Sequence, residues 1–222
     1  MSVARFAEVM NAADIRLDAA CVAMSSALQA PLDEADWLSR LDLLAAECTT
    51  PTADGIARYL FGELGFRGNT SAYYDWRNSC LDRVIDTRIG IPISLSVLMI
   101  EVGRRVGVPL VGVGMPAHFL VRTVDGPIRY YDAFAGGTEL DHGGARRLFE
   151  QLTREQVPWS DRYLDPTLAQ QIVVRMLNNL RAIFQSRSDG LRLGLVMQMR
   201  AQIPQLAESE ADDIATASAI FN

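Results

Sequence analysis

The chain contains no lysine, so all 21 of its basic residues are arginine. That excludes Schiff-base chemistry on a lysine amine, a phosphate-loop lysine and a serine–lysine dyad. Histidine is almost as scarce, with only His118 and His142. Neither belongs to a His/Cys/Glu grouping with zinc spacing, so no metal and no cofactor is implied. The three cysteines, Cys21, Cys48 and Cys80, are an odd set without paired spacing. They read as small hydrophobes in a reducing compartment. No run of 18 apolar residues occurs, so no spanning helix and no membrane association are expected. Residues 1–10 lack the basic-then-apolar order of a secretory leader, and the expected location is the cytoplasm. Basic excess is absent too: the net charge is −6, which argues against a nucleic-acid surface as the main business.

What is there begins with size. At 222 residues, 49% of them hydrophobic, the chain can build one substantial core. The stretch from Arg88 to Pro109 organises the rest. Pro92 suits the first turn of a helix, and Gly107 followed by Pro109 suits its end. Apolar residues run almost all round from Ile91 to Met99, which predicts a buried helix.

Around it, residues 3–63 carry helical periodicity, with Asp14–Leu28 broken by Pro31 and a second stripe from Trp37 to Cys48. This part reads as a helical cover. An aromatic loop at residues 73–76 is followed by a short helix that Ser79 would cap, with Asp82 completing a near capping box. Pro109–Met115, Phe119–Val124 and Ile128–Phe134 read as a small antiparallel meander. A short helix over Ala145–Gln156 and a linker from Pro158 to Pro166 follow. The chain then returns to helices at Thr167–Gln185, Asp189–Ile203 and Glu208–Phe221. The expected organisation is a core with its helical cover over 1–160 and a docked helical segment over 161–222.

Few residues here could carry chemistry. His118 stands at the mouth of a strand, and Asp132 ends the next-but-one run. A meander can bring the two side by side as base and orienter of a nucleophilic triad. A structural His–Asp contact has the same spacing. Candidate nucleophiles are Cys80, at a helix start where a thiol is activated, and Ser94 and Ser96 in the first turns of the buried helix. Each has a plainer reading as core or helix-bonded side chain. His142, beside Asp141 in a glycine-rich loop, reads as exposed surface. Arg88 and Arg122 could meet an anionic ligand near the helix head, or pair with Asp75, Asp82 or Asp86.

Taken together, Gly68-Asn69, Asn78-Ser79, Arg88-x-Gly90-Ile91-Pro92, Leu95-Ser96, Gly107-Val108-Pro109, Gly112-Val113-Gly114, residues 118–122 and Asp132-x-Phe134-x-Gly136-Gly137 occur in an order that resembles the SirB-type transglutaminase-like proteins. Arg175-Met176-Leu177-Asn178-Asn179-Leu180 is similar to that group's helical C-terminal part. The resemblance implies an α+β, papain-like core with a buried helix on an antiparallel sheet, followed by tetratricopeptide-like helices. In active members of the wider superfamily a catalytic cysteine heads the helix, and histidine and aspartate follow. His118 and Asp132 match those two positions, while Pro92 stands at the cysteine position. Ala117 stands where the family usually shows glycine.

Two readings follow. The first is a non-catalytic binding or regulatory module whose vacated groove, lined by Pro92, Asn78 and Arg88, takes another protein or a peptide-like ligand. The second is a hydrolase or acyltransferase in which Ser94 or Cys80 attacks, with His118 as base and Asp132 as orienter. Oligomeric state is not readable from the sequence.

Overall fold

A computed structural model of the chain describes residues 2–29, 32–203 and 206. The break expected at Pro31 and the helix expected at Glu208–Phe221 lie outside these residues. The N-terminal part is helical: α1 (Ser2–Met10), α2 (Leu17–Leu28), α3 (Glu34–Ala46) and α4 (Ala53–Ala57), which widens into a π-helical turn at Arg58–Glu63. Their caps follow from local chemistry. Asp33 accepts from the amides of Ala35 and Asp36 at the head of α3, and Thr52 accepts from Gly55 at the head of α4.

A short parallel pair, β1 (Arg67–Gly68) with β2 (Ile89–Gly90), brackets the aromatic loop and α5 (Leu81–Thr87). The expected cap of α5 is corrected: Cys80, not Ser79, occupies the N-cap position. Ser79 belongs to a 3-10 turn, Trp76–Ser79, whose first amides are held by Asp75. That turn takes up one more residue before α5 starts.

The organising helix α6 (Pro92–Arg105) has proline at its first position, and every residue from Pro92 to Gly103 is buried. Gly107 ends it at a φ of +75°, a conformation that glycine adopts at little cost. Its C-terminal end is tied to the cover by ion pairs. Asp18 of α2, fully buried, receives Arg105 at 2.6 Å, Arg16 at 2.8 Å and Arg104 at 2.9 Å. Burial pushes the Asp18 carboxyl up, but hydrogen bonds from Arg16 and Arg105 outweigh this and hold it at about 2. Glu101, on the same cluster, is raised by burial and by the nearby Asp18 charge.

Behind α6 lies a five-stranded antiparallel sheet in the order β6-β5-β4-β3-β7. Its strands are β3 (Leu110–Val113), β4 (Leu120–Thr123), β5 (Tyr130–Asp132), β6 (Thr138–Leu140) and β7 (Pro166–Thr167). The three central strands fall where the alternation placed them. The two outer ones are too short to show a period and form because partners are available. Successive side chains point to opposite faces: Val121 and Tyr131 pack in the main core with α6, while Leu120 and Tyr130 pack in a smaller cluster with Ala145 and Phe149 of α7 (His142–Thr153). The sheet is therefore covered on both sides.

The last two described helices are α8 (Ala169–Ser186) and α9 (Gly190–Arg200). Ile172, Val173, Met176, Leu177, Leu180, Ile183 and Phe184 are the buried side of α8. They join the same core as α2 and α6, with Met176 Sδ 3.7 Å from Cys21 Sγ.

Candidate functional site at the head of the buried helix

The turn into α6 is closed by its own serine. Ser94 Oγ accepts from the Ile91 amide at 3.1 Å and donates to the Asn78 carbonyl oxygen at 2.6 Å. Asn78 in turn organises the aromatic loop, donating to the carbonyl oxygens of Ala72 and Tyr73 and accepting from Asn69. Pro92, at the first helical position, has neither an amide hydrogen nor a nucleophile. The first turn still carries the partial positive charge of a helix N-terminus.

The sheet supplies the next side chains. Val121 pairs with Tyr131 across β4 and β5, so Leu120 stands opposite Asp132 and His118 lies two residues beyond. His118 Nε2 approaches Asp132 Oδ1 to 3.0 Å. The approach is close in distance but poorly aligned, and Nε2 makes no well-formed hydrogen bond. Asp132 Oδ1 is itself fixed by the amides of Phe134 and Ala135, at 3.0 and 3.1 Å. The backbone that delivers His118 is strained: Ala117 sits at a φ of +64°, in the left-handed region.

A cavity of about 320 Å³ opens at this point. Ile91, Pro92 and Ile93 of the turn into α6 line it together with Ala117, His118 and Phe119. Tyr73 of the aromatic loop and Arg175 and Asn179 of α8 complete it. Phe134 stacks edge-on to both Tyr73 and His118, at 5.9 and 6.3 Å between ring centroids. It lies so close over Gly68 that a Cβ there would be 2.5 Å from its ring.

The other sequence candidates lie away from this cavity. Cys80 is fully buried, its thiol 3.9 Å from the Trp76 carbonyl oxygen, and burial pushes its pKa up rather than down. The activation expected of a helix-start thiol is absent because burial, helped by the nearby Asp82 charge, disfavours the thiolate. Ser96 is buried with no hydrogen-bond partner for its hydroxyl. Asn78 supports the groove from behind and does not border it. Arg88, at a left-handed φ of +58°, turns its guanidinium to the Leu64 carbonyl oxygen. Arg122 reaches the carbonyl oxygen of Leu164. Neither pairs with Asp75, Asp82 or Asp86, which Arg77, Arg83 and Arg40 reach first. His142 opens α7, exposed as expected, with Nε2 3.0 Å from Asp161 Oδ1. Among the described residues no group of three or more His, Cys, Asp or Glu could hold a metal ion.

Arg175 and Asn179 are the site residues that the sequence did not single out. The available signals were the likeness of residues 175–180 to the family's helical part and the spacing of four between the two residues along α8.

Residues 12–178 match the Transglutaminase-like superfamily, a span that contains α6, His118 and Asp132. The chain belongs to the transglutaminase-like superfamily. Curated relatives include a UPF0162 protein of Xylella fastidiosa (strain 9a5c), 46% identical over 134 residues, or 58% of this chain and 47% of the relative. A UPF0162 protein of Pseudomonas aeruginosa is 31% identical over 147 residues, covering 63% of this chain and 50% of its own. F-box only protein 21 of Mus musculus is 36% identical over 107 residues, 44% of this chain and 17% of its own. The chain thus spans about half the length of the UPF0162 relatives. No solved structure matches it. The transglutaminase-like fold expected from the sequence, helices with an antiparallel sheet, is the fold observed. No described helix is long and apolar enough to cross a membrane.

Proposed function

We propose that this transglutaminase-like chain is a non-catalytic binding or regulatory module of the SirB type, acting in the cytoplasm. Its groove at the head of α6 would hold a peptide-like segment of a partner protein. One observation carries the reading: the helix head that should present a cysteine to His118 presents Pro92, beside an open cavity. The nearest serine of that helix has its hydroxyl committed to Asn78. On this reading α8 and α9 are the beginning of a tetratricopeptide-like array that adds a second contact surface.

The alternative is a hydrolase or acyltransferase with Ser94 or Cys80 as nucleophile. The close approach of His118 to Asp132 favours it; the bonding of Ser94 and the burial of Cys80 weigh against it. The deciding experiment assays purified protein for ester and amide hydrolysis and for amine incorporation into a glutamine substrate. The expected result is no turnover above that of the His118→Ala variant. Turnover that His118→Ala abolishes would overturn the proposal in favour of the enzyme.

A further inference from the structure

The groove has a charge that no carboxylate among the described residues answers. Arg175 sits on α8 with its guanidinium in the cavity wall, half-buried. One nitrogen, Nη2, donates to the His118 carbonyl oxygen at 2.8 Å, and the guanidinium carbon lies 5.5 Å from the centre of the Phe119 ring. No carboxylate of the described residues lies within ion-pair distance of it, although most other arginines here have one. Burial without a counter-ion pushes its pKa down. A half-buried cation held by one neutral acceptor and one ring face keeps donors free for an anion.

Three further features converge on the same space. Asn179, one turn along α8, borders the cavity with a side-chain amide that has no hydrogen-bond partner among the described residues. Tyr73 of the aromatic loop borders the same cavity. The first turn of α6, at Pro92 and Ile93, adds the positive end of a 14-residue helix. A second cavity, about 360 Å³, shares Tyr73, Ile91 and Asn179 with the first and is walled by Tyr74, Ala182 and Ile183. It is apolar where the first is cationic.

A cationic pocket joined to an apolar one fits a chain end. We infer that the groove recognises the C-terminal carboxylate of a peptide, with the carboxylate on Arg175 and Asn179 and the last side chain, an apolar one, between Tyr74 and Ile183. This deepens the binding-module reading and rests on it. A planar carboxylate suits a single guanidinium fork, whereas a phosphate dianion would be met here by one arginine alone. Recognition of a chain terminus by fixed donors is a known physical solution, because an internal peptide bond offers no such charge.

The test uses the full chain and the acetylated tripeptide alanyl-alanyl-leucine, as free acid and as C-terminal amide, followed by NMR shifts of the Arg175 and Asn179 side-chain signals. The free acid is expected to bind saturably and at least tenfold more tightly than the amide. Arg175→Gln should abolish that preference, and Tyr74→Ala, at an exposed position, should weaken the acid without removing its preference over the amide. A thermal scan of each variant establishes that it is folded. Arg175→Lys serves as the second variant if Arg175→Gln is not, and should keep the acid preference in part. Equal binding of acid and amide in this groove overturns the terminal-carboxylate inference while leaving a peptide-binding module intact. Binding of inorganic phosphate as tight as that of the free acid also overturns it, as a general anion site. Failure of both peptides to shift any groove residue overturns the inference and the binding-module reading together.

Discussion

Ser94 and Asn78 are joined by a 2.6 Å hydrogen bond from the serine hydroxyl to the asparagine carbonyl oxygen, across 16 residues of chain. The bond ties the head of α6 to the aromatic loop that walls the groove. It also commits the hydroxyl that an attacking serine would need. Ser94→Ala removes this bond and leaves the Ile91 amide without its acceptor. The expected cost is about 2 kcal/mol of stability, measured as a shift in urea midpoint. Loss of a measurable activity with unchanged stability would instead make Ser94 a nucleophile.

Ala117 pays for its left-handed backbone, since a Cβ in that region costs about 1 kcal/mol. Ala117→Gly should therefore raise stability, by up to about that amount after allowing for the extra chain entropy of glycine. Ala117→Val should lower it by more, because a β-branched side chain tolerates the region less well. Paired thermal melts of the two variants give the comparison. An order of stability with valine above alanine would contradict the backbone geometry.

The thiols of the natural chain are buried, and Pro92 occupies the head of a helix facing His118. Pro92→Cys should create a thiol that iodoacetamide alkylates about tenfold faster at neutral pH than a free cysteine, because the helix head and the histidine favour thiolate. His118→Ala in that background should return the rate towards the free value. Unchanged reactivity in the double variant would mean that the two positions no longer work together.

Asp18 links stability to acid. Its folded pKa, about 2, lies below its ordinary 3.8, so the contribution is fully present above about pH 4 and is lost as pH falls towards 2. The two values imply about 2 kcal/mol. Glu101, raised by burial, acts in the opposite sense: its contribution is lost as pH rises through the carboxylate range. Urea midpoints between pH 5 and pH 2.5 should fall for the natural protein and change less for Asp18→Asn. At neutral pH that variant should be less stable by about 2 kcal/mol, since Arg16, Arg104 and Arg105 lose one carboxylate while Arg104 and Arg105 keep Glu101.

Much of this architecture was written into local patterns. Pro92 and Gly107 bounded α6 because proline and glycine constrain the backbone wherever they stand. The three central strands followed from alternation, and the His118–Asp132 approach followed from their spacing. The cap at Ser79 was misplaced because two overlapping turns compete for the same residues, and Asp75 decides between them.

The sequence by itself determined the buried helix opened by Pro92 and the meander, because each depends on residue type and short spacing. Only the tertiary structure decided what lines the groove. Arg175 is separated from His118 by 57 residues, and nothing local indicates that α8 brings to the head of α6 a cation without a counter-ion among the described residues. Nor does local sequence show that Arg88, three residues before a turn in the groove wall, points away to Leu64. Charge at a site depends on which side chains meet, and the packing of distant elements sets that.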